Sequence, residues 1–280
     1  MARALSSEAR DAIRREANTF LARQKIVEPP FPVDDALEAQ QLRLAEVPLE
    51  QALRRMGVDQ KEFQKIDAML DVKAKSVALR QDLHRHSRKW GCVHEVAHSA
   101  IPWHVDLLFY CPIVLLPLRV QKQMELEADA FTSDCLYLGS RFLEEAKSYP
   151  FGIRPVIRLA DQYETSIHSA LRRFVEENTE RCCLLVWRTP KENMAAPTLS
   201  LHYYVPSKSF PGGFSVGQEV GPDHVVTQAY MKLRGQDSLP VTHEIGVSGI
   251  DGKRRVLTAE TFFNSYTLFT LAWSPKLSSG

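Results

Sequence analysis

No stretch of this chain is long and apolar enough to span a bilayer. The longest apolar run, residues 107–118, is shorter than the roughly 20 residues a spanning helix needs, and Pro112 and Pro117 interrupt it. It reads as a buried segment. The opening MARALSSEARDAIRREAN lacks the apolar core of a secretory signal peptide, so a cytoplasmic location is expected. There is little surplus charge of either sign: 35 Lys and Arg against 34 Asp and Glu leave a net charge of +1. That balance argues against strong nonspecific attraction to nucleic acid or acidic membranes. Cysteine is sparse, and Cys92, Cys111, Cys135, Cys182 and Cys183 are odd in number and irregularly spaced. They do not form a disulfide framework and suit a reducing compartment. Cys92 reads as a buried thiol. The adjacent Cys182 and Cys183 read as core residues opening a strand, with redox sensing as the alternative.

Against this background one short stretch stands out, His94-Glu95-Val96-Ala97-His98. On a helix of 3.6 residues per turn its three polar side chains fall within an arc of roughly 100°, so both imidazoles can reach one ion while Glu95 faces its open position. With 9 histidines in 280 residues, chance produces such a motif in about one chain in fifty. It therefore needs a helix and a third ligand. Val93, Val96, Ala97, Ala100 and Ile101 supply a buried helical stripe, and Pro102 marks its end.

The third ligand is expected on a second helix, where Leu126, Ala130, Phe131 and Leu138 form the apolar face. Glu125 is chosen because Asp129 lies four residues on, on the same face, where it can accept the other ring N–H of a metal-bound histidine. Glu127 has Phe131 at that offset and faces away from Glu125, so it reads as a solvated charge. His84 and His86, among Arg85, Arg88 and Lys89, read as exposed. His104 and Tyr110 are candidates for a second donor to an oxyanion, although packing or surface roles are preferred for both.

These motifs resemble the ImmA/IrrE family of zinc metallopeptidases, soluble bacterial and phage proteins, over most of the chain. Arg88 to His98 resembles the family's active-site helix, Glu125 to Phe142 its second ligand helix, and Leu159 to Phe174 the helix-turn-helix-like segment that follows. Membrane zinc peptidases share a Glu-x-x-x-Asp ligand helix but carry spanning segments. Two departures are visible. Ala97 stands where many members have glycine, and Cys135 to Gly139 replaces the common Leu-Leu-Met-Pro ending, which leaves the exit from the ligand helix open.

The resemblance and the patterning together imply an α+β fold in three parts. Residues 1–150 are expected to form a mainly helical zinc metallopeptidase-like domain with a small hairpin or sheet, and 151–180 a helix-turn-helix-like segment. Residues 181–280 are expected to form a C-terminal α/β domain, GAF-like in the longer members of the family. Within these, residues 7–25 read as an amphipathic helix, a second helix begins near Asp34 as N-cap, and residues 69–80 read as a hairpin. In the resembling peptidases an edge strand at that place binds substrate backbone; an ordinary structural hairpin is the equal alternative. Helical patterning over 156–178 packs on the peptidase or, less favoured by its few cations, contacts DNA. Beyond Cys182, five strands with a turn at Asp251-Gly252 and a helix over His224 to Leu233 are expected.

With zinc, or alternatively manganese, at His94, His98 and Glu125, one coordination position is left for water, and Glu95 is the general base and then acid. Cleavage of a protein is the expected reaction, and the resemblance implies a helix-turn-helix transcriptional repressor cut in a stress or mobile-element response. The alternative is a regulator that binds protein or DNA through its C-terminal half, with a structural metal and a possible dimer interface in the last domain.

Overall fold

The computed structural model describes residues 5–45, 49–55, 66–110, 116–190, 196–210, 214–215, 218–234, 239–249 and 254–274. Cys111, the centre of the apolar run and the Asp251-Gly252 turn lie outside them. The fold is α+β and divides into two compact units, Met1–Phe142 with Gln162–Thr165, and Leu143–Asp161 with Ser166–Gly280. No described helix is long and apolar enough to cross a membrane.

The first unit opens with α1 (Ser7–Gln24), whose N-cap Ser6 accepts from the Ala9 amide at 3.2 Å. Its buried Ile13, Ala17, Phe20 and Leu21 face α6 (Leu118–Leu136), where Phe20 meets Phe131 edge to face. Buried Asp134 of α6 accepts from Arg10 at 3.3 Å. Helix α2 (Val33–Ala39) begins earlier than expected: Pro32 rather than Asp34 takes the N-cap place, and Asp34 lies in the first turn, where a carboxylate favours the helix dipole. Strand β1 (Arg43–Leu44) and α3 (Leu49–Arg55) precede a hairpin of β2 (Ala68–Asp71) and β3 (Ser76–Leu79). The sheet order is β1-β3-β2, with β1 parallel and β2 antiparallel to β3, so β2 is an edge.

Helix α4 (Arg85–Ala100) packs on this hairpin at Gly91, where an added Cβ would lie 3.2 Å from the Ala68 Cβ. Pro102 ends α4 and also begins α5 (Pro102–Tyr110), since proline lacks an N–H that the first turn does not need. The departure at the end of α6 has a physical account. Leu138 and Gly139 take positive φ of 51° and 64°, and the Gly139 amide returns to the Asp134 carbonyl at 2.7 Å, closing the helix in a left-handed cap.

Helices α7 (Arg141–Lys147), α8 (Ile153–Gln162) and α9 (Ile167–Glu177) follow. The second unit holds an antiparallel sheet of order β6-β8-β9-β10-β4-β5-β7. Its strands are β4 (Cys182–Arg188), β5 (Leu199–Pro206), β6 (Phe214–Ser215), β7 (Glu219–Val220), β8 (Val241–Gly249), β9 (Arg254–Phe263) and β10 (Leu268–Trp273). The two beyond the expected five, β6 and β7, are two residues long and too short to show alternation. Helix α10 (Val225–Leu233), capped by His224, packs its Val226, Tyr230 and Leu233 on Leu185, Ile245 and Ala259. Across the same sheet Trp187 donates to Thr270 at 3.1 Å, Thr270 pairs with Thr261 at 2.8 Å, and His243 reaches Thr261 at 2.8 Å.

Candidate metal centre

The site is built by α4 and α6 of the first unit. Burial of Cys92, Val93, Val96 and Ala97 fixes the rotation of α4, and burial of Met124, Ala128 and Phe131 fixes that of α6. The faces left over carry His94 and His98 on one helix and Glu125 and Asp129 on the other. His94 Nε2 lies 3.0 Å from Glu125 Oε2 and 3.3 Å from His98 Nε2, and His98 Nε2 lies 3.7 Å from Glu125 Oε1. Among the described residues these three offer ligand atoms that all lie within 4.8 Å of one another. Two nitrogens bound tetrahedrally to zinc stand about 3.4 Å apart, so the donor set and its spacing fit such an ion.

The remaining ring nitrogens are engaged differently. His94 Nδ1 meets Asp129 Oδ1 at 3.2 Å, with the carboxylate half exposed. His98 Nδ1 meets His104 Nδ1 at 3.1 Å, and His104 Nε2 meets Glu127 Oε2 at 2.9 Å. Relative exposures of 4% for His98, 0% for His104 and 7% for Glu127 place this second contact inside the protein. The expectation of a solvated Glu127 is therefore corrected. It does face away from Glu125, but α5 covers that side, and the carboxylate accepts from Trp103 Nε1 and Gln123 Nε2 at 2.7 Å each as well as from His104. The one local signal was the i, i+4 pair Gln123 and Glu127; nothing in sequence ties residue 104 to 127. The Tyr110 side chain lies outside the described residues.

Glu95 is buried, with the Leu70 backbone N–H of edge strand β2 beside its carboxylate. Burial pushes its carboxyl up to about 7, opposed by the charge of His94 and reinforced by that of Glu125. Burial alone disfavours a charged His94, but the Asp129 and Glu125 carboxylates outweigh it and hold the ring up to about 10. His98 is held down to about 3, by burial first and then by charged His94. Glu125 is also opposed by burial, yet its contacts with His94 and His98 keep it below the usual carboxylate range. The site thus favours a carboxylate and a neutral His98, the forms that bind a cation, while His94 must give up its proton to join them.

Elsewhere, exposed His84 caps α4 by accepting from the His86 amide, and the partly buried His86 contacts the Glu164 carbonyl at 3.0 Å. Cys92, Cys135, Cys182 and Cys183 are free, buried thiols. Burial pushes Cys92 up to about 11 and Cys182 up to about 12, which leaves them inert at neutral pH.

No protein-family model matches this chain, and no curated protein matches it. Among solved structures it is similar to a Mycobacterium tuberculosis transcriptional regulator, with a TM-score of 0.54 and 11% identity, over 95% of this chain and 80% of that one. At that identity the likeness bears on the fold alone.

Proposed function

We propose that this chain is a zinc-dependent endopeptidase acting on a protein, with a helix-turn-helix transcriptional repressor as the substrate class, in keeping with its resemblance to the ImmA/IrrE family. The observation that carries the reading is the convergence of His94 Nε2, His98 Nε2 and Glu125 within 4.8 Å, beside a buried Glu95. Structural zinc sites are closed by four protein ligands, whereas three with an open position is the pattern of hydrolytic ones.

His94, His98 and Glu125 hold the ion. Bound there, zinc supplies a Lewis acid and a water whose pKa falls toward about 7. Glu95 accepts the proton of the attacking water at a carboxylate oxygen and delivers it to the nitrogen of the departing amine. The Leu70 backbone N–H beside that carboxylate orients it, and burial raises its affinity for a proton. Apart from the Leu70 amide, the outer edge of β2, which pairs with no strand among the described residues, offers backbone groups to an extended substrate.

A second reading, a regulator without proteolysis, draws on the likeness to a transcriptional regulator over 95% of the chain. The two separate on one experiment. The protein is incubated with the repressor encoded nearest its own gene, with zinc and then with chelator. Cleavage with zinc, abolished by chelator and reduced about 100-fold or more in a Glu95→Gln protein that keeps its zinc, supports the peptidase. Undiminished cleavage by Glu95→Gln overturns the role of Glu95 as general base, and no cleavage by the zinc-loaded protein alongside stable complex formation favours the second reading.

A further inference from the structure

We propose that Glu127 and His104 form a buried positioning relay that fixes the tautomer and orientation of His98 for metal binding. The inference rests on the metal-site reading above and deepens it.

The hydrogen-bond inventory decides the direction of each bond. The Trp103 indole and the Gln123 amide nitrogen are donors only, so the Glu127 oxygens accept from both, at 2.7 Å. An ionised carboxylate has no proton to give, and the contact of His104 Nε2 to Glu127 Oε2 at 2.9 Å must be donated by the histidine. Only one of the facing nitrogens in the His98 Nδ1 to His104 Nδ1 contact at 3.1 Å can carry its proton. A His98 that binds a cation through Nε2 keeps its proton on Nδ1 and donates it, so His104 accepts at Nδ1, donates from Nε2, and the bare nitrogen facing the site is His98 Nε2. This nitrogen is the one that lies 3.3 Å from His94 Nε2 and 3.7 Å from Glu125 Oε1.

The two candidate ligands are thereby held by unlike means. His94 leans on Asp129, whose side chain is half exposed, so water can replace that contact. His104 is fully buried, and among the described residues it is the partner of His98 Nδ1. A metal ligand that loses its outer partner loses about 10- to 100-fold in affinity, and here the loss has no solvent substitute.

The test is zinc affinity of the full chain by chelator competition, together with the visible spectrum of the cobalt-substituted protein and ¹⁵N NMR of its histidine rings. His104→Phe and Glu127→Leu are expected to weaken zinc binding about 10- to 100-fold and to alter the cobalt bands. Glu127→Gln keeps an acceptor oxygen and is expected to recover most of the loss. In the wild type, NMR is expected to show a proton on His98 Nδ1 and on His104 Nε2. Zinc affinity unchanged within about twofold in folded His104→Phe, or the opposite tautomers in the wild type, overturns the relay; these two results decide even if Glu127→Leu does not fold. Failure of the wild type to bind zinc at all sinks the metal reading and the relay with it, and is recognised before any variant is compared.

Discussion

Asp129 meets the second ring nitrogen of His94 and His104 that of His98, and their differing burial sets different expectations for their loss. Asp129→Asn keeps an oxygen that can accept from His94 Nδ1, and solvent reaches the site, so zinc affinity should fall by no more than about tenfold, less than in His104→Phe. A greater loss in Asp129→Asn, by chelator competition, would reverse the ranking. A second expectation concerns His243 in the other unit, where burial lowers the imidazole pKa. The unfolded chain binds that proton near pH 6.5 and the folded chain only at lower pH. Stability is therefore fully present above about pH 6.5 and declines as pH falls through it. His243→Asn, which can still bond Thr261, should show a shallower fall in Tm between pH 7.5 and 5.5 than the wild type. Equal slopes would show that His243 does not contribute.

At the level of elements, capping and close approach make the clearest claims. Ser166 caps α9 by accepting from the Ser169 amide at 3.1 Å, and Ser166→Ala should cost about 1 kcal/mol in denaturant unfolding. Gly91 lets α4 lie against β2. Alanine there gains about 1 kcal/mol of helix propensity but places a methyl 3.2 Å from the Ala68 Cβ, so β2 must give way and with it the Leu70 amide on Glu95. Gly91→Ala should therefore lower cleavage modestly with little change in Tm; unaltered cleavage would show that β2 does not orient Glu95. Helix α4, the hairpin and α10 were legible because periodicity and turn residues are local. The partnership of Glu127 with His104 was not, because it joins residues 23 apart on two different helices, α5 and α6. The rule that residues two apart on a helix do not share a face correctly turned Glu127 away from Glu125, but could not say what covered the other side. Asp34 was misplaced for a related reason: Pro32 can occupy an N-cap without a side-chain hydrogen bond, leaving Asp34 to the dipole.

For the whole molecule, the metal reading makes stability depend on ligand. Zinc at a hundredfold excess over its Kd adds about 2.7 kcal/mol to the folded state, so chelator should lower Tm in the wild type and have little effect once a ligand is lost. All three candidate ligands belong to the first unit, while the second presents a buried polar ladder and an apolar core with free thiols, so the chemistry proposed here draws on α4 and α6. The most direct test is the zinc content per chain of the wild type, Glu95→Gln and Glu125→Gln proteins, each purified in the same zinc-supplemented buffer. The account predicts one zinc per chain in the wild type and in Glu95→Gln, and a substantial loss in Glu125→Gln. A wild-type protein without zinc, or full retention by Glu125→Gln, would contradict it.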